Sequence, residues 1–269
     1  MSVLKYLEDL SSNAILSDDE KSSIETSIST LKIRLGNYFD NNELKEHFKF
    51  GSSTRGTILP RSMDSCSDID YMIVFDDDSY KPQTYLDKLK RFVETKYSTS
   101  EIYQSNPTIV LNLNHIKFEL VPAIDKGFGS YHDYRIPAKA SDKNDWIPTD
   151  PNGFNDKLTN KNKDNDYLIK PLIRLVKYWN ADNGHMFYSF LLEQDIVNKT
   201  YFFCNNLKEY FYSYMENFST SYSYSNSTNE KIEKMHKIIK ETKNLENDGY
   251  SSSAENKIKE LLPAVGALA

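Results

Sequence analysis

The sequence has little cysteine, no excess of positive charge and no long apolar run. Its only two cysteines among 269 residues, Cys66 and Cys204, exclude a disulfide framework and favour a reduced, cytoplasmic protein. A formal charge of −6 argues against a protein whose main task is to coat nucleic acid, so no obligatory nucleic-acid partner is expected. No stretch approaches the roughly 18 consecutive apolar residues of a membrane-spanning helix. Glu8 and Asp9 lie where a signal peptide would be apolar, so neither secretion nor membrane insertion is expected.

The residues that are present favour a two-lobed α+β fold. Hydrophobic residues make up 39% of the chain, including 19 Tyr and 14 Phe, which is enough for a core without disulfides or a structural metal. At roughly 150 residues per domain, the length corresponds to about two domains. The stretch from Asp125 to Asn165 is rich in Gly, Pro, Asn, Asp and Lys, which indicates a lobe boundary. We therefore expect a first lobe over residues 1–150, which contains the sheet, and an all-α lobe over residues 151–269.

Hydrophobic spacing predicts the main elements of both lobes. In the first lobe it predicts a long helix over Asp18–Tyr38, strands over 44–50 and 67–75, a helix over Thr84–Lys96, and a hairpin of Thr108–Leu113 with Ile116–Ile124. In the second lobe it predicts helices over Tyr167–Asn180, Phe187–Asn198, 209–218 and Glu230–Thr242, with an exposed loop at Ser219–Asn229.

Acidic residues lie on one face of two predicted strands. Asp68 and Asp70 alternate with apolar residues, so their side chains start about 7 Å apart and point the same way. Glu119 lies on the second strand of the predicted hairpin, between Phe118 and Leu120. Because clustered acids repel, a hard divalent cation such as Mg²⁺ would relieve the repulsion. Two such ions about 3.5 to 4 Å apart would activate an attacking hydroxyl and stabilise a leaving pyrophosphate.

A Gly-Ser turn before the first acidic strand is suited to phosphate binding. Gly51 lets backbone amides approach a phosphate closely, and the Ser52 hydroxyl can donate to it. Each signal has an ordinary alternative when it is taken alone. Gly51-Ser52 can be an ordinary turn without a ligand, the two aspartates can form a solvated face, and Glu119 can be the solvated partner of a nearby lysine.

The order of these segments resembles the nucleotidyltransferases of the polymerase-β superfamily. It reads FGSSTRGTILPRSMDSCSDIDYMIV, with a spacer slightly longer than that pattern, followed by FELVPA. Three further segments, GFNDKLTNKN, LIRLVKYWN and SFLLE, resemble the bacterial cGAS/DncV-like nucleotidyltransferases (CD-NTases), relatives of oligoadenylate synthetase. The resemblance covers roughly Phe48 to Val197. Glu119 stands where many relatives have Asp, and Phe190 where many have Tyr.

The resemblance implies a fold and a set of roles. The fold is a polymerase-β-like lobe, a small mixed sheet with helices that carries the catalytic core, and an all-α C-terminal lobe that closes a nucleotide cleft. Asp68 and Asp70 would hold both metal ions, while Glu119 would hold the catalytic one and help deprotonate the attacking ribose hydroxyl. The resemblance also implies the nucleotide-binding residues. Gly51 and Ser52 would bind the triphosphate, Lys177 would neutralise phosphate charge, Ser189 would donate a hydrogen bond and Phe190 would stack on a base. Taken singly, Lys177 is typical of a solvated helix residue and Phe190 of a core aromatic.

The implied activity is the synthesis of a cyclic di- or trinucleotide from nucleoside triphosphates, ATP and GTP among them. Two Mg²⁺ ions, which Mn²⁺ can replace, would assist, and pyrophosphate would leave. The product would be a second messenger of antiphage (CBASS) defence, and a downstream effector would bind the product rather than this protein.

Three alternatives stay open at this stage. The first is a template-independent RNA nucleotidyltransferase of the CCA-adding or poly(A) type, and the second is a small-molecule adenylyltransferase. The third is a degenerate relative that only binds nucleotides. A weaker hypothesis concerns the C-terminal GALA, which resembles ends that a ubiquitin-transfer-like partner conjugates, although a frayed terminus explains it as well.

Overall fold

The computed structural model describes residues 2–40, 42–138 and 145–265. The GALA segment considered for conjugation lies outside the described residues. Within the described part of the chain, no helix has both the length and the apolar character needed to cross a bilayer.

Helices and strands follow one another along the described part of the chain. The helices are α1 (Val3–Asn13), α2 (Asp18–Gly36), α3 (Ser52–Arg55), α4 (Pro82–Lys96), α5 (Gly153–Lys163), α6 (Ile169–Asp182), α7 (Ser189–Asn198), α8 (Leu207–Glu216), α9 (Asn226–Asn247) and α10 (Ser251–Ile258). The strands are β1 (Leu44–Phe50), β2 (Asp68–Phe75), β3 (Glu101–Ser105), β4 (Thr108–Asn112), β5 (Lys117–Asp125), β6 (Tyr134–Pro137) and β7 (Trp146–Pro148).

The chain forms two compact units. The sheet unit comprises Ser17–Gly56 and Cys66–Asp156, and the helical unit comprises Met1–Leu16, Thr57–Ser65 and Lys157–Ala269. This division differs from the contiguous one expected at residue 150, because two early segments join the later helices. The first of them holds α1, whose apolar face is buried against α6, α8 and α10.

The sheet unit is built on a mixed sheet, as the sequence predicts. Its strand order is β1-β2-β5-β4-β3, and β6 pairs with both β5 and β7. The β2–β5 pair is parallel, whereas the predicted β4–β5 hairpin is antiparallel and is confirmed. Both central strands are buried on two faces over most of their length, which explains their nearly continuous apolar run after the acidic positions. The acidic positions are therefore the polar ends of otherwise buried strands.

Local sequence explains where α2 begins. The Ser17 hydroxyl accepts from the Glu20 amide, and the Glu20 carboxylate accepts from the Ser17 amide, which is the reciprocal capping box expected at a helix start. Ile24, Ile28 and Leu31 form the buried stripe of this helix. The helix ends at Gly36, slightly before the predicted Tyr38.

The helical unit confirms the predicted core of α6. Leu172, Leu175, Val176 and Trp179 are all buried. The loop predicted to reach Asn229 is shorter than expected, because the Ser225 hydroxyl accepts from the backbone amide of Thr228 and starts α9 at Asn226.

Four elements that lie near the boundary stretch or the hairpin were not predicted from the sequence. These are β3, β6, β7 and α5. Each is short or polar, and the strands are only half-buried, so no clear apolar period marks them in the sequence. The three strands among them form by pairing with neighbours, since β3 pairs with β4, and β6 with β5 and β7.

The burial of α1 predicts a large effect of truncating its core side chain. Leu7 is fully buried, so Leu7→Ala should lower the free energy of unfolding by about 2 to 5 kcal/mol. Leu191 of the same unit is 56% exposed, so Leu191→Ala should cost about 1 kcal/mol or less. Urea unfolding of both variants measures this contrast. Equal losses would show that α1 does not belong to the core of the helical unit.

Candidate active site

The acidic residues meet because β2 and β5 run parallel and in register. Asp68 is the register partner of Lys117, and Asp70 is the partner of Glu119. Partners on neighbouring strands point to the same face, and so do residues two apart on one strand. The register therefore gathers Asp68, Asp70 and Glu119 on one face of the sheet, as the sequence predicts, and adds Lys117 to them.

The Lys117 ammonium lies between two of these acids. Its Nζ is 3.1 Å from Asp68 Oδ2 and 3.1 Å from Glu119 Oε1. The three side chains are partly buried, with 19% of Lys117, 28% of Asp68 and 27% of Glu119 exposed. One open alternative was that Glu119 is the solvated partner of a lysine. The partner exists, but the pair is partly withdrawn from water.

This arrangement shifts both ionisations. Burial and the neighbouring Asp68 carboxylate raise the pKa of Glu119, and the contact with Lys117 opposes them. Burial on its own would lower the pKa of Lys117, but Asp68 and Glu119 outweigh it and raise that pKa above its ordinary value. Lys117 is therefore firmly charged and acts as the counter-ion of this face.

The turn after β1 lies directly against Asp70. Phe50, the last residue of β1, is the register partner of Asp70, so the chain turns beside that carboxylate. Gly51 has a φ of +73°, in the region that favours glycine. A Cβ on Gly51 would lie 1.9 Å from Asp70 Oδ2, which no side chain can do without a shift. Only glycine fits between the turn and the acid.

The hydroxyls that follow Gly51 differ in their partners. Ser53 Oγ donates to the carbonyl oxygen of Phe50, and Thr54 Oγ1 donates to that of Gly51. Among the described residues, none makes a hydrogen bond with the Ser52 hydroxyl. Ser52 is therefore the hydroxyl of this turn that remains available to a ligand, and its predicted role stays a prediction.

The acidic face fits a hard divalent cation. Its donors are carboxylate oxygens, the ligands that Mg²⁺ prefers. A cationic group already lies within hydrogen-bond distance of two of them, because Lys117 Nζ contacts both Asp68 and Glu119. The face thus holds positive charge at the point where the sequence predicts metal ions.

Asp125, at the end of β5, differs from the acids of the sheet face because its oxygens already have several hydrogen-bond partners. Asp125 accepts from Lys45 Nζ at 2.9 Å and from the amides of Gly127 and Asp133, both at 2.9 Å, and lies 2.7 Å from His132 Nδ1. Burial opposes its charge, but these hydrogen bonds hold the pKa of Asp125 below its ordinary range. Its oxygens are used to close the loop between β5 and β6.

In the helical unit, Ser189 and Phe190 open α7. Ser189 is the first residue of the helix, where backbone amides lack partners within the helix and an anion is favoured. Phe190 is 44% exposed, so it is not the buried core aromatic considered as its alternative. Phe187, three residues earlier, is half-buried and packs against Trp179 and Phe218.

Lys177 is buried in the helical unit rather than solvated. Its Nζ donates to the carbonyl oxygen of Thr57 at 2.8 Å and lies 3.4 Å from Glu193 Oε1. The same carboxylate oxygen accepts from Thr57 Oγ1 at 2.7 Å. Only 6% of Lys177 is exposed, so the interpretation as a solvated helix residue is wrong. The ammonium already has two acceptors, and its predicted role on phosphate stays a prediction.

Two residues of this network are not among the predicted site residues, although the sequence suggests that Thr57 could reinforce the turn or reach a phosphate. Glu193 is the acid of SFLLE, and its signal is a carboxylate placed one turn after Ser189 among apolar neighbours. Thr57 follows the Gly51–Gly56 turn directly and is fully buried. A single sequence does not reveal their meeting, because Thr57 and Glu193 lie 136 positions apart in the chain.

The contact between Gly51 and Asp70 predicts that Gly51→Ala is unusually costly. Gly129 also has a positive φ, of +65°, but open space around it, so Gly129→Ala measures the backbone strain alone, about 1 to 2 kcal/mol. Gly51→Ala should lower the free energy of unfolding by about 1 to 3 kcal/mol more, because Asp70 has to move. Chemical denaturation of the two variants gives the difference. Equal costs would mean that the turn does not rest on Asp70.

The buried network predicts strong coupling between its two charges. Lys177→Met should cost about 1 to 3 kcal/mol of unfolding free energy, because it takes one charged hydrogen-bond partner from the buried Glu193 carboxylate. Glu193→Gln should also destabilise the protein, whereas the double variant should lose less than the sum of the single losses, by about 0.5 to 3 kcal/mol. A double-mutant cycle by chemical denaturation measures this. Additive losses would contradict the network.

Comparison with solved structures supports the fold. DncV of Vibrio cholerae, a cyclic AMP-GMP synthase in complex with the linear intermediate 5′ pppA(3′,5′)pG, matches with a TM-score of 0.75 and 12% identity, over 99% of this chain and 98% of that chain. CdnG of Bradyrhizobium diazoefficiens, a CD-NTase in complex with GTP, matches with a TM-score of 0.70 and 9% identity, over 95% and 97%. CdnC of E. coli MS115-1 with ATP matches with a TM-score of 0.67 and 14% identity, over 98% of both chains. The expected fold class is confirmed.

Sequence comparison identifies the family. A probable cyclic nucleotide synthase of Bacillus cereus (strain VD146) is 27% identical over 158 residues, which cover 55% of this chain and 46% of that protein. The match therefore spans about half the length of that relative. The model of the Second Messenger Oligonucleotide or Dinucleotide Synthetase domain matches residues 1–162, more than half of the chain. The chain therefore belongs to this synthetase family, and the resemblance to CD-NTase nucleotidyltransferases drawn from its motifs is confirmed.

Proposed function

We propose that this protein makes a cyclic di- or trinucleotide second messenger from nucleoside triphosphates, with release of pyrophosphate, as the signalling step of an antiphage (CBASS) system. The observation that carries this proposal is the parallel register of β2 and β5. It places three carboxylates, Asp68, Asp70 and Glu119, on one face beside the Gly51 turn. Membership of the synthetase family supports this activity over the three alternatives.

Asp68, Asp70 and Glu119 are the residues that would hold Mg²⁺, or Mn²⁺ in its place. When bound, such ions lower the pKa of an attacking hydroxyl and neutralise charge on the leaving phosphates. Asp68 and Asp70 lie on one strand and Glu119 on the next, so the face can serve both the attacking and the leaving group. Glu119 would accept the proton of the attacking ribose hydroxyl.

The remaining residues would bind and orient the nucleotide. The Gly51 amide and the Ser52 hydroxyl would hold the triphosphate, because the turn carries no Cβ at its closest point and Ser52 keeps its hydroxyl free of protein partners in the described residues. Ser189 would donate from the start of α7, and the exposed ring of Phe190 would stack on a base. Lys177 would neutralise phosphate charge if its ammonium leaves the Thr57 carbonyl oxygen and the Glu193 carboxylate and contacts a phosphate instead.

Substrates and location follow the same proposal. The related structures contain GTP in CdnG, ATP in CdnC and a pppA-pG intermediate in DncV, so ATP and GTP are the first substrates to test. A separate effector would bind the product. Cytoplasmic location and a C-terminal ubiquitin-transfer-like partner stay predictions from the sequence.

Product analysis tests the proposal. Purified protein incubated with Mg²⁺ or Mn²⁺ and all four labelled nucleoside triphosphates should yield phosphatase-resistant cyclic products identifiable by mass spectrometry. Asp68→Asn combined with Asp70→Asn should lower product formation by about 100-fold or more, because the charge that stabilises the transition state is lost. Glu119→Gln should have an effect of the same order.

Asp76→Asn is the matched control for these variants. Asp76 lies just beyond the end of the same strand β2 and is exposed, so its loss should leave the product yield unchanged. Product formation that survives the loss of Asp68 and Asp70 would contradict the active-site assignment. Extension of a tRNA in preference to products made from nucleotides alone would favour the RNA nucleotidyltransferase instead.

A further inference from the structure

Lys117 occupies a position among the acids that the proposed function does not explain. It lies on β5 two residues before Glu119, and its Cα is the register partner of Asp68. Its ammonium bridges carboxylates from two different strands, at 3.1 Å from Asp68 Oδ2 and 3.1 Å from Glu119 Oε1. A lysine that bridges two predicted metal ligands holds positive charge in the place of a metal ion.

Electrostatics explains why a cation is needed on this face. Asp68 and Glu119 share one ammonium in a partly buried region, where the repulsion between carboxylates is stronger than in water, and Asp70 lies on the same face as the register partner of Glu119. One ammonium shared by two of them offsets much of this repulsion. The lysine and a metal ion therefore satisfy the same carboxylate oxygens and compete for them.

The chemistry of lysine suits a counter-ion that can leave. Its ammonium is a compact charge on a flexible four-carbon stem, so it can withdraw without movement of the strand. With 19% of its side chain exposed, Lys117 has access to water when it withdraws. Lys177 is the contrasting case, since its ammonium is buried and is held by Thr57 and Glu193.

We propose that Lys117 is an internal counter-ion that neutralises Asp68 and Glu119 before metal binds and is displaced by the metal. It therefore sets the metal concentration at which the site fills. The inference rests on the proposed assignment of Asp68, Asp70 and Glu119 as metal ligands. Lys117 is a positioning residue, because it acts through the acids and holds their carboxylates in place for the ion.

Metal binding without nucleotide tests this role directly. Electron paramagnetic resonance of free Mn²⁺ gives the affinity of the full-length protein without any need for turnover. Lys117→Met should bind Mn²⁺ about tenfold to a hundredfold more tightly than the wild type, because the metal no longer displaces a charge-assisted pair. Lys117→Arg keeps the charge and should bind Mn²⁺ no more tightly than the wild type.

Two further variants serve as controls. Lys49→Met removes one positive charge from the same unit, but Lys49 pairs with Glu25 and not with the acidic face, so Mn²⁺ affinity should change less than twofold. Asp68→Asn combined with Asp70→Asn should abolish the binding of Mn²⁺. Thermal unfolding provides a second measurement: in EDTA, Lys117→Met should melt below the wild type, and added Mn²⁺ should raise its melting temperature by more than it raises that of the wild type.

The outcomes separate the inference from the proposed function. Mn²⁺ binding that is lost in the Asp68 and Asp70 double variant but is unchanged or weaker in Lys117→Met overturns the role of Lys117 and leaves the metal site standing. Mn²⁺ binding that the double variant retains in full overturns both. If Lys117→Met does not fold in EDTA but folds and binds tightly with Mn²⁺, the role is supported, because the metal then supplies the missing charge.

Discussion

Repulsion among three carboxylates is the constraint on which the sheet unit depends. The parallel register of β2 and β5 brings Asp68, Asp70 and Glu119 to one face, and the apolar remainder of both strands leaves little water to screen them. The structure meets this constraint with a cation, since Lys117 contacts acids from both strands. A methyl group at position 51 would meet Asp70 as well, which would have to move.

The helical unit solves a related problem in a different way. Glu193 is a carboxylate with 1% exposure, and a buried charge requires a partner and hydrogen bonds. Lys177 and the Thr57 hydroxyl supply both. This links α6 and α7 to the segment that follows the Gly51–Gly56 turn. The two lysines thus have different surroundings: Lys117 lies between two acids of the sheet, and Lys177 is part of a core.

Much of the secondary structure can be predicted from the sequence, and the reasons are local. The capping box of Ser17 and Glu20, the alternation in β2 and the apolar spacing of α6 each act within a few residues. The elements that sequence reasoning misses depend on pairing or packing with other elements. The strand β6 exists because it pairs with β5, and α1 belongs to the helical unit because it packs on helices more than 150 positions later. Neither dependence produces a periodic pattern of apolar residues in the sequence.

The sequence by itself determined the chemistry: a Gly-Ser turn, acids alternating along a strand, a third acid between apolar residues, and the synthetase family to which these motifs belong. Residue type and spacing are enough for that, because strand geometry alone orients Asp68 and Asp70. Only the tertiary structure decided which charges meet. Pairing two strands nearly fifty positions apart aligned Lys117 with Asp68, and folding of the helical unit buried Lys177 beside Glu193. Such contacts depend on the distance between side chains in space, which a sequence does not contain.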